Sequence, residues 1–189
     1  MNSLSERLAA RAAKFHGHRC GGLAIGVKAC EALAEKWGLD LESGEKPCSA
    51  ETENLACEAE NRSCSADAIQ AILGCTVGNG ALTFRDTGKQ AFSFFDRVLG
   101  RALRICLTAD LEGIPRENRE AFVLSKSPGE LFKFSKPAFG APDRAEIFKS
   151  ARCEICGELS HSGKIARAGG KTLCPDCLAA LRQKGGLSV

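Results

Sequence analysis

Two C-x2-C pairs stand near the end of the chain, Cys153-Glu-Ile-Cys156 and Cys174-Pro-Asp-Cys177, with seventeen residues between them. No other feature restricts the fold as sharply. Each pair bends the backbone into a knuckle that puts two sulphurs on one side of a point. Two knuckles complete the tetrahedron that zinc takes from sulphur ligands. The segment around them, residues 150–189, is too short and too polar to bury a core, so it needs a metal or disulfides to fold. Lys164 to Arg167 and Lys171 to Leu173 flank Ala168-Gly169-Gly170, a hairpin signal, and Asp176 to Arg182 reads as a helix. A knuckle, a hairpin and a helix donating the last ligands is the plan of a treble-clef finger. A redox C-x-x-C or a pair of unrelated dithiols does not explain the doublet. His161 is able to replace one cysteine, but reads as a loop histidine. A closed shell of four thiolates leaves no open position, so Zn2+ at Cys153, Cys156, Cys174 and Cys177 is expected to be structural.

The chain has eleven cysteines, an odd number that fits poorly with full pairing. The first residues, MNSLSERLAARAAKFHGH, lack the apolar stretch of a signal peptide, and no apolar run approaches the ~20 residues that span a bilayer. A cytoplasmic protein is therefore expected, with thiols that are reduced, metal-bound or in a core. The net charge of +3, from 26 basic and 23 acidic side chains, gives no electrostatic case for nucleic acid or membrane. The finger carries Lys164, Arg167, Lys171, Arg182 and Lys184, but four thiolates and Zn2+ add about −2 locally. Ten Phe, one Trp and no Tyr read as core material.

The rest of the chain mixes helices and strands in an α+β order. Ser3 to Phe15 and Leu23 to Trp37 read as helices, the second with Leu23, Val27, Cys30 and Trp37 on one face. Leu39 to Thr52 is a polar connection. Leu55 to Glu60 alternates like a strand, and Ser65 is the expected N-cap of a helix to Leu73 with Asp67 in its first turn. Asn79-Gly80 is a turn signal. Ala81 to Phe84, Gln90 to Phe95 and Ala102 to Thr108 read as strands, followed by two helices. The second opens on Ser127-Pro128-Gly129-Glu130, a capping box. Pro137 to Asp143 reads as a linker between a first domain, 1–140, and a second, 150–189.

Phe15-His16-Gly17-His18-Arg19-Cys20-Gly21-Gly22 places two of the three histidines and a cysteine within five residues, just before a helix. A cysteine at a helix N-terminus is expected to have a lowered pKa, and this applies to both Cys20 and Cys64. With a third ligand from Cys64 or Cys75, three protein donors and one open position make a catalytic or substrate-binding metal site. Two other readings are open: surface histidines beside a buried free cysteine, or a thiol nucleophile with histidine as base. Two glycine motifs fail. Gly78-Asn-Gly80 lacks the third glycine of a dinucleotide fingerprint, and Thr87-Gly88-Lys89-Gln90 lacks the first glycine and the Ser/Thr of a P-loop.

Three runs together resemble the E-subunit family of formylmethanofuran dehydrogenase. They are Phe15-His-Gly-His18-x-Cys20-x-Gly22-Leu-Ala-Ile-Gly26, then Glu60-Asn-x-Ser-Cys64-x-x-Asp67-Ala-Ile-Gln70, then Gly74-Cys75-Thr76-x-Gly78-Asn79-Gly80. Asp86-x-Gly88-Lys89-x-Ala91-Phe92 continues the likeness, which covers Phe15 to Thr108. The resemblance implies a thioredoxin-like α+β core with a mixed sheet flanked by helices. It also implies a cleft site of His18, Cys20 and Cys64, and a second metal site drawn from His16, His18, Cys20, Cys64 and Cys75. Asp67, Gln70, Thr76, Asn79 and Lys89 would line the cleft towards substrate. Gly21 departs from the family, which usually has Pro after the first motif cysteine. A looser turn and weaker metal binding are the expectation there.

Two functions compete. One is a metal protein working beside a molybdenum or tungsten oxidoreductase of anaerobic one-carbon metabolism, as an accessory component and as a homodimer. The other is a non-enzymatic zinc-finger adaptor or regulator that binds protein or nucleic acid.

Overall fold

The computed structural model describes residues 3–42, 54–143 and 147–183. Cys48 and Lys184 lie outside them. The chain divides into two compact units, Met1–Ala145 and Glu146–Val189. Among the described residues no helix is long and apolar enough to cross a membrane.

In the first unit, helix α1 (Leu4–His16) is opened by Ser3, whose side chain accepts the Glu6 N–H. It ends at His16 because Gly17 takes φ 94°, a left-handed conformation that side chains resist. Helix α2 (Gly21–Trp37) starts two residues before the expected point. Every residue from Leu23 to Ala34 is buried, so α2 is the central helix and is enclosed on all sides. Strand β1 (Leu55–Ala59) leads into helix α3 (Ser65–Leu73). Strands β2 (Leu82–Phe84), β3 (Ala91–Asp96) and β4 (Arg101–Leu107) follow. Next come helices α4 (Arg119–Ser125) and α5 (Pro128–Leu131) and strand β5 (Phe132–Ser135). The Ser127 and Glu130 capping box forms as expected at α5.

The sheet runs in the order β2-β1-β3-β4-β5, with β1 and β2 parallel and every other pair antiparallel. It is therefore mixed. The parallel pair is joined through α3, so α3 begins just past the carboxyl end of β1. Side chains alternate across a strand, so register sorts the two faces. Cys57, Phe94 and Leu103 form one row, and Ala59, Phe92, Ile105 and Phe134 the next; both pack into the core shared with α1 to α5. The opposite face carries Ala56, Phe95 and Ala102 in one row and the polar Glu58, Ser93, Arg104 and Ser135 in the next. Beside that row the buried Glu60 carboxylate is held by Arg104, Arg85 and the Thr87 hydroxyl.

The expected linker is instead part of the first unit. Phe139 lies under the Arg85 guanidinium and against Phe95, and Arg97 donates to the Pro142 carbonyl at 2.9 Å. Strand β5 has no counterpart among the expected elements. Its Phe-Lys-Phe-Ser alternation completes the sheet edge, with Phe132 buried and Lys133 exposed.

The second unit has strands β6 (Ser150–Arg152) and β7 (Leu159–His161), then a hairpin of β8 (Ala166–Ala168) and β9 (Lys171–Leu173), then helix α6 (Pro175–Gln183). The hairpin turn is Gly169-Gly170, as the sequence signals. Its small core is Cys153, Leu173 and Cys174, with Ile165, Leu178 and Leu181 against it.

Candidate metal centres

In the second unit the sulphurs of Cys153, Cys156, Cys174 and Cys177 all lie within 4.8 Å of one another. The Cys156 and Cys174 sulphurs are 3.9 Å apart. A tetrahedron with metal–sulphur bonds of about 2.3 Å has edges of about 3.8 Å, so the four sulphurs are spaced to hold a metal. Electrostatics agrees. N–H groups of Cys174, Cys156 and Ile155 aimed at the Cys153 sulphur hold that thiol down to about 6. Burial and the neighbouring thiols push Cys177 up to about 12. Four sulphurs this close cannot all carry a charge unless a cation sits among them. His161 is outside the cluster: its Nδ1 accepts the Gly163 N–H and its ring lies on Phe148.

In the first unit three groups meet from three elements: His16 at the end of α1, Cys20 at the N-cap of α2, and Cys64 just before α3. Their donor atoms lie within 4.8 Å of one another, all half-buried. Close helix packing brings them there. A Cβ on Gly26 would meet the Ser65 carbonyl oxygen at 2.2 Å and the Ala68 Cβ at 2.8 Å. A Cβ on Gly22 would meet the Cys64 Cβ at 3.3 Å. These two glycines, one helical turn apart, let the start of α3 lie directly on α2, and that contact delivers Cys64 to Cys20.

His16 is oriented for ligation. Its Nδ1 lies 2.7 Å from the Asp67 carboxylate, which only accepts, so Nδ1 carries the hydrogen. In the neutral ring Nε2 is then the lone-pair nitrogen, and it is buried with no hydrogen-bond partner among the described residues. A buried, orphaned acceptor beside two thiols is a donor set that fits a divalent ion. Asp67 is steadied in turn by the Gln70 amide at 3.1 Å, and the Gln70 carbonyl accepts the Val77 N–H at 3.3 Å. The carboxylate–histidine relay is a common support of metal ligands.

The fold redistributes several of the expected residues. His16, not His18, joins Cys20 and Cys64. His18 is exposed, its ring 4.4 Å from that of His16, on the rim of a neighbouring cleft. The linear motif cannot distinguish the two, because Gly17 turns the chain between them. Cys75 is absent from the group and is buried in the core, where it adds to the upward push that burial exerts on the Cys30 and Cys57 thiols. Cys64, expected to be acidic at a helix start, shifts the other way: burial and the adjacent Cys20 raise it. Cys64 also takes the N-cap place expected of Ser65, which is buried and bonded to Ser63 and Gln90. Cys20 keeps a cap role, its sulphur accepting the Leu23 N–H at 3.3 Å.

Asp67 and Gln70 support His16. Thr76 and Asn79 build the turn before β2 instead: Asn79 accepts the Thr76 and Ala81 N–H groups and donates to the Gly74 carbonyl. Lys89 is exposed and lines neither cleft beside the trio. Gly21 is no loose turn. It is the first residue of α2 with no left-handed φ, and a Cβ there would meet the Arg119 Cβ at 2.7 Å. Its bareness makes room for α4.

Sequence comparison places this geometry. The profile described as "FmdE, Molybdenum formylmethanofuran dehydrogenase operon" matches residues 15–131. The chain belongs to the FmdE family. The matched stretch holds all three donors of the core trio and ends before the finger. A protein of Archaeoglobus fulgidus described as a probable S-adenosyl-L-methionine-binding protein is 29% identical over 187 residues, covering 84% of this chain and 50% of its own length. The chain thus spans about half of that relative. The crystal structure of an FmdE-like protein of the tungsten formylmethanofuran dehydrogenase type, from Syntrophus aciditrophicus, has the same fold. Its TM-score is 0.65 at 22% identity, over 98% of this chain and 95% of that one.

Proposed function

We propose that this FmdE protein holds two zinc ions for two different purposes. The ion in the core is held by His16, Cys20 and Cys64, with one coordination position left towards a cleft. The ion in the tail is held by Cys153, Cys156, Cys174 and Cys177 in a treble-clef finger and is structural. When bound, the core ion supplies a Lewis-acidic position suited to a thiol or one-carbon ligand. Asp67, through His16, fixes the imidazole tautomer and its direction. The observation that carries this reading is the buried, partnerless His16 Nε2 beside two thiols, with Nδ1 already committed to Asp67.

The family description supports a role beside a molybdenum or tungsten formylmethanofuran dehydrogenase or a related anaerobic one-carbon redox enzyme. The mixed sheet, with its one parallel pair, supports a thioredoxin-like core. In this reading the protein is cytoplasmic and homodimeric. S-adenosylmethionine enters as a candidate ligand only through the name of the Archaeoglobus relative.

Elemental analysis tests the reading. Wild type should carry two zinc ions per chain. Cys20→Ala and His16→Ala should each lose one and keep the fold, and His18→Ala should keep both. Cys153→Ala should lose the other. One zinc per chain, indifferent to Cys20, would overturn the core site and favour the zinc-finger adaptor. Light scattering checks the dimer.

A further inference from the structure

Two clefts flank the core trio, one lined by His16, Cys64 and Asp67 and the other, of about 510 Å³, by Cys20 and Cys64; what lines the second narrows the ligand. One wall is Cys20, Gly21, Gly22 and Cys64; the other carries Arg116 and Arg119. A Cβ on Gly22 would lie 3.7 Å from the Cys64 sulphur and 3.9 Å from the Cys20 sulphur. No side chain at position 22 therefore stands between the sulphurs and the cleft. Arg119 is rooted against Gly21, the residue next to Cys20. Its Nε donates to the Ile114 carbonyl at 2.9 Å, which fixes the guanidinium and leaves its two outer nitrogens without a partner among the described residues. Arg116 is exposed and makes no hydrogen bond or ion pair among the described residues. The third arginine of the cleft, Arg19, is occupied by Glu6 and Glu120. Arg19 brings one positive charge to two carboxylates, so that group keeps a net negative charge; Glu117 is the one acid of the cleft outside an ion pair among the described residues.

The charge balance follows. Two thiolates and a neutral imidazole on a divalent cation sum to zero. Around the cleft Arg19, Arg116 and Arg119 offset Glu6, Glu117 and Glu120, so there is no net surplus; the positive potential is local, where the unpaired Arg116 and Arg119 groups and the positive end of the long helix α2 stand. The planar guanidinium fork matches a carboxylate.

We propose that the cleft takes a small carboxylate-bearing thiol, with Arg119 and Arg116 binding its carboxylate and its sulphur end directed at the metal site. This rests on the zinc reading of His16, Cys20 and Cys64, and assigns to Arg119 and Arg116 the choice of ligand.

Cobalt(II)-loaded full-length protein is titrated with 3-mercaptopropionate and with 2-mercaptoethanol, which lacks the carboxylate, following the cobalt absorption bands. Cys20→Ala supplies the spectrum of the finger alone, and cobalt content after desalting controls for stripping by the thiol. The expected result is binding of 3-mercaptopropionate tighter by roughly tenfold or more. That preference should fall in Arg116→Gln, and should vanish in Arg119→Gln and in the double variant, all at unchanged cobalt content. Equal affinity for the two thiols in wild type, or a preference that survives both arginine substitutions, overturns the proposal. Failure of the zinc reading shows separately, as Cys20→Ala losing no cobalt. Calorimetry of 3-mercaptopropionate on metal-free protein then decides for the arginines: heat that Arg119→Gln abolishes supports them, and no heat in wild type overturns them.

Discussion

The two cysteine centres of this molecule are built in opposite ways. The finger gathers four sulphurs from two short pairs, each pair closed by its own knuckle, in a unit whose buried core is Cys153, Leu173 and Cys174. The core trio gathers one donor from each of three helix ends, with Cys64 brought to Cys20 by the close crossing of α2 and α3. So small a core gives the finger, in the proposed reading, a structural need for its metal. The trio sits on a unit with a large core of its own, so in the proposed reading its metal is free to serve a ligand and not the fold. Proximity of cysteines is common to both; what differs is whether the fold makes the site or the site makes the fold.

The largest expected effect breaks the finger. Cys153→Ser, or metal removal by a chelator, should unfold 147–183 and leave the first unit folded, because so small a core cannot offset its chain entropy. Limited proteolysis should release the first unit intact. Survival of the finger without metal would erase the contrast between the two centres.

The next test attacks the scaffold of the trio. Gly26→Val places atoms where the Ser65 carbonyl stands, 2.2 Å from the first added carbon. It should cost about 3 kcal/mol or more and lose the core metal while sparing the finger metal. Urea unfolding with metal analysis reads both effects.

A smaller effect isolates orientation from ligation. Asp67→Asn keeps the volume but weakens the acceptor on His16 Nδ1, and should lower core-site affinity by about 10- to 100-fold in chelator competition. Finger affinity should not move. An equal drop at both sites would mean that the substitution acts through global stability.

The smallest effect concerns acid. Arg104 holds the Glu60 carboxyl below its usual range, with Thr87 and Arg85 helping. The folded state thus binds this proton less readily than the unfolded chain. Its contribution is complete above the ordinary glutamate range and is lost as pH falls through the lowered folded value. Glu60→Gln should lose about 1 kcal/mol at neutral pH, with the gap to wild type closing on acidification. Urea midpoints across pH check the sign. Glu60 belongs to the first unit, so finger metal release should follow its own pH course.

Much of this is legible along the chain. Helices α1, α2 and α3 and strands β1 to β4 follow from period and turn signals, because their apolar residues repeat locally. The short strand β5 is masked by the stronger capping signal of Ser127 just before it. The stretch after Pro137 reads as a linker because its composition is that of one; its packing of Phe139 against Phe95 is a contact between distant residues. The choice of His16 over His18 depends on a helix end and on Asp67, fifty-one positions away. The placing of Cys75 in the core depends on which way the chain leaves the last turn of α3.

The four-sulphur cluster of the tail is legible without the fold, since two C-x2-C pairs carry their geometry in their spacing. The sequence also singles out His16, His18, Cys20 and Cys64 as donors, three of which the fold brings together. The tertiary structure alone decided which of those residues meet, because two bare positions on α2, Gly22 and Gly26, set how closely α3 approaches. It alone placed Arg119 against Gly21, the neighbour of Cys20. A local chelate is written in spacing; a site shared by three helix ends exists only once the helices have packed.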